Sequence, residues 1–160
     1  MFLFKYYDLH LRQISAVCFL FARNIQYLLT KEGQSPPPIG LVSAEWGGTP
    51  IESWSLKKPL EQCDDHLKLS KQKLKSTPQH SDQSLWNGMI NPLKRTSVKG
   101  FLWYQGERNT NSKYNRDKYQ CIFPAMIASW REEFSIHSST SEVAPFGFVQ
   151  LGTKMFFKIF

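Results

Sequence analysis

Gln105, Gly106 and Glu107 stand directly after the apolar run 101–104, which reads Phe-Leu-Trp-Tyr. Aromatic residues fit a pleated, buried strand, so the run predicts a strand over 100–104 that delivers an amide and a carboxylate to its carboxyl end. Ligands of α/β proteins bind at the carboxyl ends of parallel strands. Gly106 permits a tight turn or the close approach of a bound group. The triplet therefore indicates either a ligand-binding loop or an ordinary strand exit.

A second polar loop that contains glycine follows a second apolar run. Residues 39–44 read Ile-Gly-Leu-Val-Ser-Ala and predict another strand. The polar segment that follows begins Glu-Trp-Gly-Gly-Thr, with the glycine pair at Gly47 and Gly48. Two predicted strands thus end in loops of glycine and polar residues.

The two loops carry motifs that resemble those of the sialate O-acetylesterase family. The motifs are Trp-Gly-Gly-Thr-Pro-Ile-Glu-Ser-Trp-Ser at 46–55 and Leu-Trp-Tyr-Gln-Gly-Glu-Arg-Asn at 102–109. Further similar segments follow the family order at 15–21, 85–90, 121–125, 130–132 and 145–151. The family belongs to the SGNH-type esterases, which are serine hydrolases built on a flavodoxin-like α/β domain.

The resemblance implies an α/β fold, a flavodoxin-like three-layer SGNH hydrolase domain with a parallel sheet, incomplete in this chain. Residues 1–151 would form the partial esterase domain, in which 57–84 are a polar surface excursion. Residues 152–160 would be a divergent C-terminal tail. The family reaction is hydrolysis of O-acetyl esters, including 9-O-acetyl esters, of sialic acids. An O-acetylated sialic acid or sialoglycan is therefore the expected partner.

The resemblance also assigns an oxyanion hole. Hydrolysis of an ester by a serine hydrolase requires a nucleophile, a histidine base and hydrogen-bond donors aimed at the oxygen that becomes negative. Carried over to matching positions, the donors are the backbone N–H of Gly47 or Gly48 and the side-chain amide of Gln105.

Three further residues of the same loops are expected substrate contacts: Trp46, Glu107 and Arg108. Glu107 would hold the loop or contact the sugar. Arg108 stands where the family usually has a serine, and its long cation would either crowd the acyl pocket or reach the carboxylate of a sialic acid. Aromatic side chains near the predicted strand ends would supply a sugar-facing surface or simply belong to the core: Trp46, Trp54, Trp103 and Tyr104.

The nucleophile and the base have no good match. Gly33-Gln34-Ser35 imitates the family's Gly-Gln-Ser-Asn motif but precedes a predicted strand and continues into three prolines. His137 lies in an Ile-His-Ser segment that imitates the family's Ile-His-Pro, but it lacks the proline and precedes the strand predicted over 146–151. We therefore expect negligible esterase activity from this chain alone. The alternatives are a catalytically inactive sialoglycan-binding module and an unstable truncated isoform.

Composition supports a globular chain, with 41% hydrophobic residues and a net charge of +7. Much of the charge comes from lysines in the polar segment 57–75, without the interleaved aromatic residues of a nucleic-acid groove, so we expect a solvated surface and no nucleic-acid partner. Cys63 and Cys121 could form a disulfide in an oxidising compartment, whereas Cys18 sits in an apolar helical pattern. The possible metal ligands near Cys63 form no paired half-site, so we expect neither a metal nor a cofactor.

The apolar run 14–22 superficially resembles a signal-peptide core. No small-residue cleavage site follows it, so the run is better interpreted as an internal helix. No apolar segment is long enough to span a bilayer. The family resemblance implies a lysosomal or secreted destination.

The predicted elements alternate between helices and strands. Apolar periodicity predicts a helix over 10–29 and another over 113–134, which contains Pro124. The segment 67–74 is considered for a short helix, and Ser84 is expected to cap another that runs through Met89 and is closed by Asn91-Pro92. With strands at 39–44, 100–104 and 146–151, the order is typical of a parallel sheet covered on both faces.

Overall fold

Helices dominate the described part of the chain, and a small parallel sheet lies within it. The computed structural model describes residues 14–66, 78–110 and 112–152. Two compact units are present, residues 1–45 and residues 46–160. Within the described ranges, no helix is both long enough and apolar enough to cross a membrane.

The first unit contains helix α1, Ala16–Lys31. Gly33, with φ at 76°, follows the helix in the left-handed region that glycine favours. The predicted helix is confirmed from residue 16 onward and ends two residues later than expected, while 10–13 lie outside the described residues. Only Ala22 of this helix is buried.

The strand predicted over 39–44 is wrong, because these residues form no strand. A strand exists only where its backbone hydrogen bonds meet those of a neighbour, and the described part of the first unit contains no other strand. Leu41 and Val42 are accordingly exposed. An apolar run predicts the tendency to form a strand but not the presence of a partner.

The sheet of the second unit has two parallel strands, β1 Phe101–Trp103 and β2 Phe146–Phe148. Phe101 pairs with Phe146, and Trp103 pairs with Phe148. The pairing continues past the strand end, where Val149 N donates to Trp103 O at 2.9 Å. The strands predicted over 100–104 and 146–151 are confirmed in shorter form, and their parallel pairing is compatible with an α/β fold.

Helix α4, Lys113–His137, connects the two strands and contributes four buried apolar side chains to the core. The Ser112 hydroxyl caps its first turn by accepting a hydrogen bond from Asn115 N at 3.1 Å. The helix continues through Pro124 and extends three residues beyond the predicted end at 134. Its buried side chains recur every four residues, which defines one face: Ile122, Met126, Trp130 and Phe134.

This helical face packs on the sheet through aromatic contacts. The ring of Phe101 lies 5.1 Å from that of Phe134 and 5.8 Å from that of Trp130, both in edge-on geometry. Trp103 meets Trp130 edge-on at 5.9 Å. Edge-on pairs at these distances are favourable beyond the apolar area that they bury. The core therefore lies against β1, which ends two residues before Gln105.

Helix α3, Lys57–His66, occupies the first part of the predicted polar excursion 57–84. Its Pro59, Leu60 and Cys63 are buried, so this part is not a solvated loop. Cys63 forms a disulfide with Cys121 of α4, with Cα atoms 5.8 Å apart. The covalent bond holds a sparsely apolar helix against the core, a constraint that periodicity does not reveal. The helix considered near 67–74 lies outside the described residues.

The helix expected from Ser84 to residue 89 differs from the structure. A π-helix spans Trp86–Ile90, and a 3₁₀ helix, Asn91–Leu93, follows it directly. The Ser84 hydroxyl does not cap a helix but donates to Ser81 O at 2.7 Å. Pro92 does not stop the chain's helical course, because a proline in the first turn lacks an N–H that has no partner there anyway.

Another short helix, α2, spans Ile51–Trp54 and follows the turn at Gly47 and Gly48, called the glycine turn below. Trp54 and Ile51 are buried in the core. The Trp130 indole N–H donates to Trp54 O at 3.1 Å, which ties α2 to α4. The core therefore positions both the residues that follow the glycine turn and the residues that follow β1.

Candidate functional site

A cleft of about 380 Å³ lies between the glycine turn and the loop after β1. Its lining includes all six residues predicted for the site, together with two neighbours: Trp46, Gly47, Gly48, Thr49, Tyr104, Gln105, Glu107 and Arg108. The structure therefore brings together side chains that are up to 62 residues apart in the sequence. Their individual roles stay predictions.

The conformation of Gly48 and the hydrogen bonds of Thr49 hold the glycine turn in place. Gly48 has φ at 74°, where only glycine is comfortable. The buried Thr49 donates its hydroxyl to Trp46 O at 2.8 Å and accepts the indole N–H of Trp54 at 2.9 Å. Gly47 and Gly48 are exposed residues, and within the described ranges their backbone N–H groups donate no hydrogen bond. The turn therefore offers two free donors to a ligand in the cleft.

The loop after β1 turns sharply at Gly106, whose φ is 142°. The backbone conformation favours glycine, and a Cβ atom there would also lie 2.9 Å from a methyl carbon of Leu151, whose side chain would have to move. A 3₁₀ helix, Glu107–Thr110, begins immediately afterwards. Its Asn109 N donates to Gly106 O at 2.9 Å. The sequence-based expectation of a tight turn at Gly106 is confirmed.

The Gln105 amide is engaged within the protein. Its Nε2 donates to Thr49 O at 2.9 Å and to Asn109 Oδ1 at 3.0 Å. Its Oε1 is buried and has no hydrogen-bond partner among the described residues. An oxyanion would receive an N–H from Gln105 only in exchange for one of these two bonds.

Asn109 is the member of this network to which the sequence analysis assigns no role. Its side chain is buried, and its Oδ1 also accepts the Ile51 backbone N–H at 3.0 Å. Its Nδ2 donates to Glu52 Oε2 at 3.0 Å. The available signal was its place at the end of the Gln-Gly-Glu-Arg-Asn motif, four residues after Gln105.

The four aromatic residues considered for sugar contact separate into two classes. Trp54 and Trp103 are only 4% and 7% exposed and meet edge-on at 6.0 Å, so they belong to the core. Trp46 and Tyr104 are 53% and 57% exposed and line the cleft. The cleft thus presents two open aromatic surfaces.

Glu107 and Arg108 are exposed at the wall of the cleft. Neither forms an ion pair within the described ranges. Both charges are thus available to a ligand, the guanidinium to an anionic group and the carboxylate to hydroxyl donors.

A second, largely apolar hollow of about 290 Å³ lies beside the ends of β1 and β2. Tyr119 lines it, and its hydroxyl accepts the Trp103 indole N–H and donates to Gln105 O, both at 3.2 Å. Burial raises the pKa of Tyr119 above its ordinary value of 10.0; the Trp103 hydrogen bond lowers it and the negative charge of Glu107 raises it further. This tyrosine supports the backbone from which the Gln105 side chain projects.

Among the described residues of the second unit, no serine and no histidine lines the cleft. Ser35 is an exposed residue of the first unit. His137 ends α4, where its Nε2 lies 3.5 Å from Glu133 Oε2, which also accepts a hydrogen bond from Lys94 Nζ at 3.1 Å. Within the described ranges, no three His, Cys, Asp or Glu side chains group closely enough to hold a metal ion.

A family profile and the sequences of individual proteins both match this chain to the same family. The family profile described as "Carbohydrate esterase, sialic acid-specific acetylesterase" matches residues 8–156. The chain is 42% identical over 148 residues to sialate O-acetylesterases of Pongo abelii and Homo sapiens, and these alignments cover 91% of this chain and 27% of each relative. It is 40% identical over 169 residues to the sialate O-acetylesterase of Rattus norvegicus, covering 88% of this chain and 30% of that relative. The chain thus spans less than a third of the length of these relatives.

Proposed function

Because the chain belongs to the carbohydrate esterase family of sialic acid-specific acetylesterases, we propose that it supplies the oxyanion side of a site for hydrolysing O-acetyl esters of sialic acids. The observation that carries the proposal is the cleft itself, which two loops distant in sequence form together. It combines free backbone donors, an engaged amide, open aromatic surfaces and a free cation.

The backbone donors suit the acyl end of such an ester. When a nucleophile attacks the acetyl carbonyl carbon, the carbonyl oxygen becomes negative and needs N–H donors already in place. Gly47 and Gly48 supply two such groups without breaking any bond. Gln105 adds a third when the oxyanion replaces Thr49 O as the acceptor of one Nε2–H, while the bond to Asn109 remains. Loss of one oxyanion donor costs enzymes of this type about 10²–10³ in kcat.

The remaining wall suits the sugar. Trp46 and Tyr104 offer apolar ring surface against which a pyranose ring packs. Arg108 pairs with the carboxylate of a sialic acid, and Glu107 accepts hydrogen bonds from sugar hydroxyls. The substrate class proposed is therefore an O-acetylated sialic acid, free or on a sialoglycan.

We propose that the chain by itself has negligible turnover, since the described residues of the second unit place neither a serine nor a histidine in the cleft lining. Removing the nucleophile or base of a serine hydrolase costs about 10⁶ in kcat in the subtilisin example.

The Cys63–Cys121 disulfide supports a lysosomal or secreted destination for the protein, because disulfides persist in oxidising compartments.

The first test is hydrolysis by the purified chain of a chromogenic acetyl ester and of 9-O-acetylated sialic acid. A Ser35→Ala, His137→Ala double variant is the control. We expect no turnover above background from either protein. Turnover by the parent that disappears in the double variant would contradict the proposal and make these two residues a catalytic pair.

A second candidate function, a sialoglycan-binding module without turnover, is favoured by the exposed aromatic rings and the unpaired guanidinium. Binding of sialic acid is measured from the fluorescence of the tryptophans, with a neutral hexose as comparison. An Arg108→Ser variant, which restores the residue usual in the family, is expected to lose the preference for the acid. Absence of binding by the parent at millimolar ligand would exclude this function.

A further inference from the structure

We propose that Asn109 is the positioning residue of the cleft, holding the glycine turn and Gln105 at a fixed separation through one orientation of its amide. This role rests on the proposed function, because the separation matters to an ester only if the cleft receives its acyl end. Asn109 touches no substrate group in this account. It acts through the residues on both sides of it.

The orientation of the Asn109 amide is determined by its neighbours. Ile51 N–H requires an acceptor and therefore selects Oδ1, while the Glu52 carboxylate requires a donor and selects Nδ2. With Oδ1 placed, Gln105 must turn its own Nε2 toward it. Thr49 O also accepts a hydrogen bond from Gln105 Nε2 and therefore selects the same orientation of the Gln105 amide. No member of this chain of bonds can be flipped without setting two acceptors or two donors against each other.

The network connects the two loops that form the cleft. Ile51 and Glu52 begin the helix that follows the Gly47–Gly48 turn, and Gln105 follows β1. Asn109 bonds to all three of these attachment points from a position only 3% exposed. A displacement of about 1 Å at a reacting group is enough to impair catalysis substantially, so fixing the separation of two donor loops has a direct chemical consequence.

The hydrogen bond from Gln105 Nε2 to Asn109 Oδ1 also determines which atom Gln105 presents to an oxyanion. Once an oxyanion takes the N–H that now donates to Thr49 O, the remaining N–H stays on Asn109 Oδ1. The Gln105 amide then keeps its direction during the exchange. Without Asn109, the amide could rotate and present its Oε1 acceptor to the negative oxygen, which would be repulsive.

The test exchanges the amide of Asn109 and the carboxylate of Glu52 between the two positions. Asn109→Asp keeps both acceptor functions toward Ile51 and Gln105 but places a carboxylate about 3 Å from that of Glu52. The other charged groups nearby are the exposed Glu107 and Arg108 on the same loop and Arg116 of α4, which donates to Thr110 O. Adding Glu52→Gln to the variant restores one donor and one acceptor at this contact. Asn87→Asp, at an exposed asparagine, is the matched control for the same chemical change.

The first readout is the NMR signals of the Gly47 and Gly48 backbone amides and of the Gln105 side-chain amide. Asn109→Asp is expected to shift them at pH 7, because it sets two carboxylates against each other at the contact with Glu52. The double variant and Asn87→Asp are both expected to match the parent at pH 7. Parent-like signals in a folded Asn109→Asp at pH 7 would overturn the proposal. Should that variant fail to fold, an unfolded double variant, or a folded one with displaced signals, would also overturn it.

The second readout is the dissociation constant for 9-O-acetylated N-acetylneuraminic acid at pH 7. Asn109→Asp is expected to weaken binding about tenfold, the equivalent of one lost hydrogen bond, and the double variant to restore it. A purely structural role would lower the melting temperature while leaving the cleft signals and this constant unchanged in the folded protein. If the parent binds no ligand, the proposed function fails, and the NMR signals alone still decide whether Asn109 positions the two loops.

Discussion

Two adjacent glycines of the cleft differ in the property that decides whether a side chain is tolerated. Neither has an atom within 4 Å of the place where a Cβ would lie, but only Gly48 has a positive φ. Gly48→Ala is therefore expected to lower the free energy of unfolding by about 1–2 kcal/mol, and Gly47→Ala by less than about 0.5 kcal/mol. Urea unfolding monitored by tryptophan fluorescence measures both. Equal effects would contradict the φ argument.

Tyr119 gives the fold a dependence on alkaline pH. Burial raises its pKa in the folded protein above the ordinary 10.0, so folding favours the neutral phenol. Its contribution to stability is complete below pH 10 and is lost as the pH rises through the folded-state pKa. Tyr119→Phe removes two hydrogen bonds and is expected to be about 1–2 kcal/mol less stable than the parent at pH 8.

The difference between Tyr119→Phe and the parent should become smaller above pH 10, because the parent alone loses the contribution of this group. Urea unfolding at pH 8, 9, 10 and 11 measures the difference directly. A difference that stays constant over this range would show that the phenol does not titrate differently in the folded and unfolded chain.

The sequence predicted which residues line the cleft but not how they are held. Gln105 and Gly48 could be predicted as cleft residues because each lies in a distinctive motif next to an apolar run. Asn109 and Thr49 lie in the same motifs, yet their importance comes from partners 56–58 residues away. Hydrogen bonds of this kind depend on the tertiary fold, which local pattern does not specify.

At the scale of elements, the disulfide between α3 and α4 is the strongest single constraint. It closes a loop with a sequence separation of 58, for which the loss of unfolded-chain entropy corresponds to about 4 kcal/mol. A Cys63→Ala, Cys121→Ala variant is expected to lose about 2–4 kcal/mol of stability. Cys18→Ala, which removes the free thiol of the described residues, is the control and should change stability by less than about 1 kcal/mol.

Thermal unfolding with and without a reducing agent checks the same constraint in the unmodified chain. The midpoint is expected to fall on reduction in the parent and to stay unchanged in the variant without Cys63 and Cys121. A parent midpoint that is insensitive to reduction would mean that the disulfide adds nothing to the stability of this fold.

Elements with a strong periodic pattern and a nearby partner were predicted well. Helix α4 and strands β1 and β2 meet one another across a single core, so local preference and packing agree. Residues 39–44 have the composition of a strand but no paired neighbour in the described part of their unit, and residues 84–93 continue in helical geometry through a proline. In both cases the outcome depends on surroundings that the local sequence does not encode.

At the scale of the whole molecule, the second unit holds nearly all of the core. Apart from Ala22, every buried apolar side chain of the described residues lies between Ile51 and Ala144. A chain that begins at Trp46 is therefore expected to fold, with a melting midpoint within about 5 °C of the parent. All five tryptophans lie at positions 46–130, so their fluorescence reports this unit alone.

The complementary piece, residues 1–45, is the control for that measurement. Its helix α1 has 16 residues, only just above the length of about 12–15 residues below which isolated helices are marginal in water even when rich in alanine. Circular dichroism is expected to show little helix in this peptide. A shortened chain without a cooperative transition would show that the second unit needs the first in order to fold.

The Cys63–Cys121 bond also determines what a protease can release from this molecule. A single backbone cut anywhere between the two cysteines leaves two polypeptides that remain covalently joined, and the glycine turn and the Gln105 loop stay attached to the same core when the cut falls between them. Such a nicked molecule keeps the mass of the intact 18.6 kDa chain, plus one water, on a gel run without reductant and separates only after reduction. Nicked chains would therefore pass for intact ones in any preparation judged without reductant.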